Sequence, residues 1–248
     1  MSEPTRRLAV LGDGDSTAAV RSAATDADAR LVDRGEADAL VPVGDAALRE
    51  AMRAVASGDA RSVPILPVGS GRHAVAPGVA VERLGDVVAG VGESSGAFDG
   101  FDRVAHPVLA VGDADGGRRR FAAADVAFVT VEPARISEYE IAFLDGDSVS
   151  VRADGAVVAT PLGSDGYAAA AGGSVVSPGG GLSVVPVSPF TTRPDTWVAS
   201  GGVHVTVARG EEPVALVVDG ERRGTVEPHR AVGLEVATTV DLLSPTTE

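Results

Sequence analysis

A chain of 248 residues, 44% of them hydrophobic, has enough apolar surface for one large core or two modest ones, which excludes a mostly disordered protein. Its formal net charge is −14, and all 21 basic residues are arginine. Such an acid surplus repels phosphate backbones and anionic membranes and argues against nucleic acid as a partner. The absence of cysteine and lysine excludes disulfides, thiolate nucleophiles, Schiff-base chemistry and a Walker A loop.

No apolar run approaches the roughly 20 residues that cross a bilayer. "MSEPTRRLAV" enters its first strand too early for a signal peptide. The expectation is a soluble, cytoplasmic protein without a membrane partner. We read the acidity as adaptation to a very salty cytoplasm, because salt screens self-repulsion to within a few ångströms. His73, His106, His204 and His229 are far apart and lack ligand spacing, so no protein metal site is expected.

In chain order, "RLAVL" reads as a strand and "DSTAAVRSAATDA" as a helix with Asp or Ser caps, Asp13 and Asp15 among the candidates. "ARLV" and "ALVPV" are further strands. "DAALREAMRAVASG" places Ala47, Leu48, Met52 and Val55 on one helical face and closes at Gly58. Asp45 falls at its strand-to-helix junction, where a cap is as expected as a functional carboxylate. "SVPILPVG" reads as another buried strand. Strands separated by single helices imply parallel βαβ units, a sheet covered on both faces. "GESSGAFDGFDRVAHP" is a Gly/Ser/Asp-rich passage and reads as a domain boundary.

Beyond it, short Val-rich stretches alternate with turn signals, and Asp-Gly pairs at Asp145, Asp154 and Asp219 suit tight turns between strands. The expected fold is therefore an α/β N-terminal domain over residues 1–102, with a three-layer parallel sheet, and an antiparallel β domain over 103–230. Residues 231–248 would add a strand that packs back on the first domain.

The most informative stretch is "ATPLGSDGYAAAAGGSVVSP", a polar turn followed by alanines and two glycines. Residues this small let backbone approach closely, either to a ligand or to another strand. A Thr-Pro-x-Gly-Ser turn has no evident packing purpose, which favours the ligand. With the preceding "RADGAVV", the stretch resembles the signature of the NAD kinase family at Asp154, Gly155, Thr160, Pro161, Gly163, Ser164, Tyr167, Ala171, Gly172, Gly173 and Pro178. Weaker agreements run in the same order: "VGDAAL" at the family's Gly-Gly-Asp-Gly-Thr loop, Gly71-Arg72 at a second loop, and "AADVAF" at an Asn-Glu/Asp pair. "VPVSPFTTRP" and "VVDGE" match later segments.

The resemblance implies an α/β domain and a β domain, and transfer of a phosphoryl group from ATP or polyphosphate to the 2′-hydroxyl of NAD. Asp45 would be the general base or orienter. Gly44, Ala46, Gly71 and Arg72 would form the phosphate loops. Asp125, Asp154, Thr160, Gly163, Ser164, Asp165 and Tyr167 would line the NAD pocket. Mg²⁺ would bridge the phosphates, NAD and ATP would be the small-molecule partners, and a homo-oligomer is favoured. Departures concentrate at these loops. Ala46 and Ala47 replace a glycine and a threonine, Gly69 and Ala124 replace asparagines, and Leu162 and Asp165 replace threonines. A Cβ at a position of positive φ or close phosphate approach would cost about 1 kcal/mol or more. Two readings follow: an NAD kinase with a reshaped phosphate loop, or a silent homologue that binds a nicotinamide or adenine nucleotide.

Overall fold

The computed structural model describes residues 6–91, 97–113, 119–132, 135–210 and 212–246. Two compact units are formed, one from residues 1–105 with 240–248 and one from 106–239.

The first unit opens with β1 (Arg7–Leu11), α1 (Asp15–Asp26), β2 (Arg30–Leu31), β3 (Ala39–Pro42), α2 (Asp45–Ser57) and α3 (Pro77–Gly90). The strands are parallel in the order β2-β1-β3, with Leu8 opposite Ala39 and Val10 opposite Val41. Residues 64–68 continue the sheet only through isolated bridges at Ile65 and Val68. Pro64 and Pro67 lack an N–H, so the continuous strand expected there cannot form a full ladder. Ile65 in turn bridges Leu242. The Ile65 N–H donates to the Asp241 carbonyl at 2.9 Å.

Val20 and Ala24 of α1 and Ala80, Leu84, Val87 and Val88 of α3 pack with Leu8, Val10 and Val41. The α3 helix was not expected. Gly78, Gly85 and its valines lower helix propensity, and its apolar spacing of 4, 3 and 1 supports it through burial instead. On α2 the buried face is Leu48, Ala51, Met52 and Ala54, so it lies nearer the Ala51 side than the Ala47–Val55 line read from sequence. That helix does close at Gly58, in the left-handed conformation. Phe98 and Phe101 are buried in this unit's core, so the passage read as a boundary contributes packing, and its residues 92–96 lie outside the described ones.

The second unit contains β4 (Phe101–Asp113, begun in the first unit), β5 (Arg120–Ala122), β6 (Asp125–Thr130), β7 (Ser137–Phe143), β8 (Ser148–Ala153) and β9 (Gly155–Ala159). Then come α4 (Tyr167–Ala170), β10 (Leu182–Val187), β11 (Trp197–Ala199), β12 (Val203–Arg209), β13 (Val214–Val218), β14 (Glu221–Val226) and β15 (Ala231–Pro245). Two six-stranded sheets result, in the orders β11-β10-β9-β6-β13-β14 and β5-β4-β15-β12-β7-β8. One core joins them, with Val126, Phe128, Val158 and Val184 from the first and Tyr139, Ile141, Val205 and Leu234 from the second. Alternation along each strand supplies it, as the Val-rich pattern demands. Asp145-Gly146 and Asp219-Gly220 make hairpin turns, whereas Asp154 does not. It stands where the chain leaves one sheet at β8 and enters the other at β9.

Within the first unit, Arg7 grips Asp38 through Nε at 3.0 Å and Nη2 at 2.7 Å, with Arg61 adding a contact at 3.1 Å. The Arg7 hydrogen bonds hold the Asp38 carboxyl below its ordinary value. A depressed folded value means the stabilisation is complete above the unfolded value of about 4 and is lost as the pH falls through the folded one. Thermal melts from pH 7 downward should therefore show a steeper acid loss below about pH 4 for the wild type than for Asp38→Asn. Equal slopes would show that the pair contributes nothing.

Candidate functional site

Two βα turns lie side by side at the carboxyl ends of β1 and β3, the point at which strand order reverses and where ligands of parallel sheets bind. Gly14 caps α1 at φ 90° and ψ −174°, and Gly44 caps α2 at φ 93° and ψ 156°. Both lie in a region open essentially to glycine alone. The caps expected from Asp13, Asp15 and Asp45 do not form, since neither helix has a side-chain cap hydrogen bond. Asp15 and Asp45 are first-turn residues instead. Gly12, at φ 113°, completes the packing, because a Cβ there would stand 2.6 Å from the Val43 carbonyl oxygen.

Asp45 is exposed at the head of α2. A Cβ on Gly71 would come within 3.2 Å of its Oδ1, so the second loop lies directly against this carboxylate. The structure thus brings Gly44, Asp45, Ala46 and Gly71 together, with Arg72 exposed on the next position. Ala46 and Ala47 are helical, and neither has positive φ. The strain anticipated from their Cβ atoms is absent. Without a side-chain cap, the first-turn N–H groups and the positive end of the helix dipole point outward from α2.

In the second unit, Asp125 begins β6 and Asp154 precedes β9, the neighbouring strand. Tyr167 starts α4 and is 40% exposed. Partial burial raises its phenol above the ordinary value, and the negative charges of Asp125 and Asp154 raise it further. These three groups therefore share one electrostatic neighbourhood. Asp165 is exposed just before α4.

Thr160 and Ser164 behave differently from the pocket-lining role expected of them. Both are fully buried. The Thr160 hydroxyl donates to the Ala123 carbonyl at 2.6 Å. The Ser164 hydroxyl donates to the Pro161 carbonyl at 3.0 Å and accepts from the Val176 N–H at 2.9 Å. The Thr-Pro-x-Gly-Ser turn thus has a packing purpose after all: its hydroxyls pin it to residues 123–124 and 176. Gly163 is pressed against the Ala124 backbone so closely that a Cβ would overlap the Ala124 carbonyl. Gly173 meets Val185 and Ala168 in the same way. Their smallness serves close approach within the chain.

A residue read only as a turn proves central. The buried Asp219 carboxylate accepts from the N–H groups of Ala123 at 3.1 Å, Ala124 at 2.7 Å and Asp125 at 3.3 Å. Asp219 at φ 50° and Gly220 at φ 82° form a two-residue hairpin turn that aims the carboxylate at that backbone. The Asp-Gly dipeptide signalled the turn, but nothing local signalled its acceptor role.

Residues 124–240 match the family model described as the ATP-NAD kinase C-terminal domain. The NAD kinase of Methanosarcina acetivorans is 33% identical over 114 residues, covering 45% of this chain and 42% of that protein. That of Chromohalobacter salexigens is 34% identical over 198 residues, 76% of this chain and 64% of its own length. The chain belongs to the NAD kinase family. The alignments span less than two thirds of these two relatives' lengths. Two solved family structures share the fold. Yeast NADH kinase complexed with NADH superposes with a TM-score of 0.76 at 17% identity, over 98% of this chain and 84% of that one. An NAD kinase from Archaeoglobus fulgidus in complex with ATP gives 0.72 at 21%, over 97% and 94%.

In this family member Asp219→Ala leaves two buried N–H groups and one half-buried one without their acceptor. A loss of about 3 kcal/mol or more is expected, since each unsatisfied donor costs about 1–3. Thermal or denaturant unfolding measures it, and a loss below about 1 kcal/mol would show that the turn does not depend on this carboxylate.

Proposed function

We propose that the protein is an NAD kinase, transferring a phosphoryl group from ATP or polyphosphate to the 2′-hydroxyl of the adenosine ribose of NAD. The observation that carries this reading is Asp45. It presents an exposed carboxylate at the glycine-capped head of α2, beside Gly71 and within a set of uncapped helix N–H groups. Phosphoryl transfer asks for positioning and charge stabilisation more than for a strong base. In this reading Asp45 orients the 2′-hydroxyl and accepts its proton, while the N–H groups of Asp45, Ala46 and Ala47 face phosphate oxygens. Asp154 accepts from the nicotinamide carboxamide, and Asp125 and Tyr167 border the dinucleotide. Thr160, Gly163 and Ser164 hold that border in place.

Mg²⁺ neutralises phosphate charge in such a reaction. Among the described residues no three His, Asp or Glu side chains gather to hold a metal. Asp45 is one carboxylate beside a phosphate site, and that donor set suits an ion that keeps its waters and is held mainly by substrate phosphates. The helical geometry of Ala46 and Ala47 favours catalysis over silent binding, because the glycine and threonine replaced there cost neither strain nor helix N–H donors. We also infer a role in NADP supply, a salt-rich cytoplasmic setting and a homo-oligomeric state. Among the described residues no helix is long and apolar enough to cross a membrane.

The test is NADP formation from NAD, ATP and Mg²⁺ in multimolar KCl. Asp45→Asn should reduce the rate by about 10²-fold or more, the usual contribution of a positioned acid–base group. No NADP from folded protein, with ATP or polyphosphate, would sink the proposal. The exposed Asp165 carboxylate opposes a further anion in the pocket, so Asp165→Thr should tighten NADP binding several-fold while changing NAD affinity less. Equal changes for both ligands would mean that the carboxylate does not face the 2′-phosphate.

A further inference from the structure

Beyond the carboxyl ends of β1 and β2, within the first unit, lies a crevice of about 740 Å³. Arg21, Arg30, Leu31, Asp33, Arg34 and Glu36 line it. The Arg21 guanidinium is held at its wall by donation to the Val10 carbonyl at 3.2 Å. Arg34 is held by Glu50 at 2.7 Å. Arg30 forms no ion pair among the described residues, although acids outnumber bases 35 to 21 along the chain. Leu31 is 40% exposed, an apolar side chain left open between charged ones. Asp33 stands two residues after the end of β2 and about 20 residues beyond the Gly12–Gly14 turn. In nucleotide-binding βαβ units a carboxylate at that place reaches the ribose hydroxyls.

We propose that this crevice holds the nucleoside of the phosphoryl donor, with Asp33 accepting from both ribose hydroxyls and the Arg30 guanidinium stacked on the base. The donor is then a ribonucleoside triphosphate. Inorganic polyphosphate has neither base nor ribose and gains nothing from these groups. The inference rests on the kinase reading above and specifies its donor. Geometry along the sheet edge supports it. Since β1 lies between β2 and β3, the crevice is two strand spacings, about 10 Å, from the β3 end where Asp45 stands. A triphosphate laid across the Gly12–Gly14 turn passes the uncapped head of α1 before reaching that of α2. Asp13 and Asp15 on this turn oppose bare phosphate, so the donor arrives as its magnesium complex. A planar guanidinium suits stacking on a base, and Leu31 supplies the apolar floor.

Calorimetric titration of the full chain in multimolar KCl tests this with magnesium ATP and magnesium 2′,3′-dideoxy-ATP. The wild type should bind ATP about 10²-fold more tightly, the value of two hydrogen bonds to a charged group. Asp33→Ala should erase that difference, and Arg30→Ala should weaken both nucleotides about tenfold; NAD affinity should not change in either variant. Asp33 and Arg30 are exposed, so unchanged melting temperatures will certify both folds. Equal binding of the two nucleotides by the wild type, or full discrimination retained by Asp33→Ala, would overturn the proposal. So would an absence of ATP binding while NADP still forms from polyphosphate, an outcome that leaves the kinase reading intact. Ribose discrimination without any NADP formation would sink the kinase reading and leave the crevice as a nucleotide site.

Discussion

The tight packing of two strand-to-helix turns governs the first unit. The Gly12 backbone lies so close to the Val43 carbonyl that no side chain fits between them. Gly14 and Gly44 then turn the chain through dihedrals that other residues avoid. The consequence is electrostatic as well as geometric. A glycine cap brings no hydroxyl or carboxylate to the first-turn N–H groups, so their hydrogen-bonding capacity is left for whatever settles at the sheet edge. A serine or aspartate cap would stabilise the helix by about 1 kcal/mol and consume the same donors. The fold forgoes that stability where two helix heads converge.

The second unit solves a related problem with buried polar groups. Residues 123–125 form a short connection whose N–H groups face a protein interior, and an unpaired donor there is costly. Asp219 accepts from all three, while Thr160 binds the carbonyls of Ala123 and Ala124 from the other side. Gly163 removes the last obstacle to their approach. Asp125 and the Thr160–Ser164 turn are thereby fixed to one another by interactions that water cannot easily replace. A signature rich in small and hydroxylic residues thus serves close packing, its hydroxyls being bonded within the chain. They fix the backbone next to Asp125, whose charge, with that of Asp154, acts on Tyr167.

Much of this was legible in the sequence, and the failures have physical causes. Val-rich alternation with turn dipeptides announced the β domain, and single helices between apolar runs announced the parallel sheet. Residues 64–68 read as a strand from their apolar run alone, but two prolines remove the donors of a continuous ladder. The helix at Pro77–Gly90 was hidden because its glycines and valines have weak propensity, and long-range burial of Leu84, Val87 and Val88 overrides that. At the candidate site, the aspartates of "LGDGDS" and "VGDAAL" suggested caps because aspartate is a common cap. The glycine one position earlier took the role instead, and only the dihedrals reveal it. Asp219 shows the opposite limit. Its turn is a local property, while the three donors it serves lie about ninety residues away in sequence.

The charge of −14 raises the question of how so acidic a chain would attract the triphosphate and the dinucleotide of the proposed reaction. Range decides it. At 1 M salt the Debye length is about 3 Å, so carboxylates elsewhere on the surface contribute almost nothing to the energy of an incoming anion. Only groups in contact with the ligand then count. On the first unit the proposed contacts are the N–H groups at two helix heads and the guanidinium of Arg30, with Arg21 fixed beside it by a backbone carbonyl. Placing those few groups along one edge of a parallel sheet makes local recognition of phosphate compatible with a globally acidic surface. The same logic fixes the cost of adding a carboxylate at short range. Asp165, exposed just before α4, would therefore act only on a ligand that comes into contact with it.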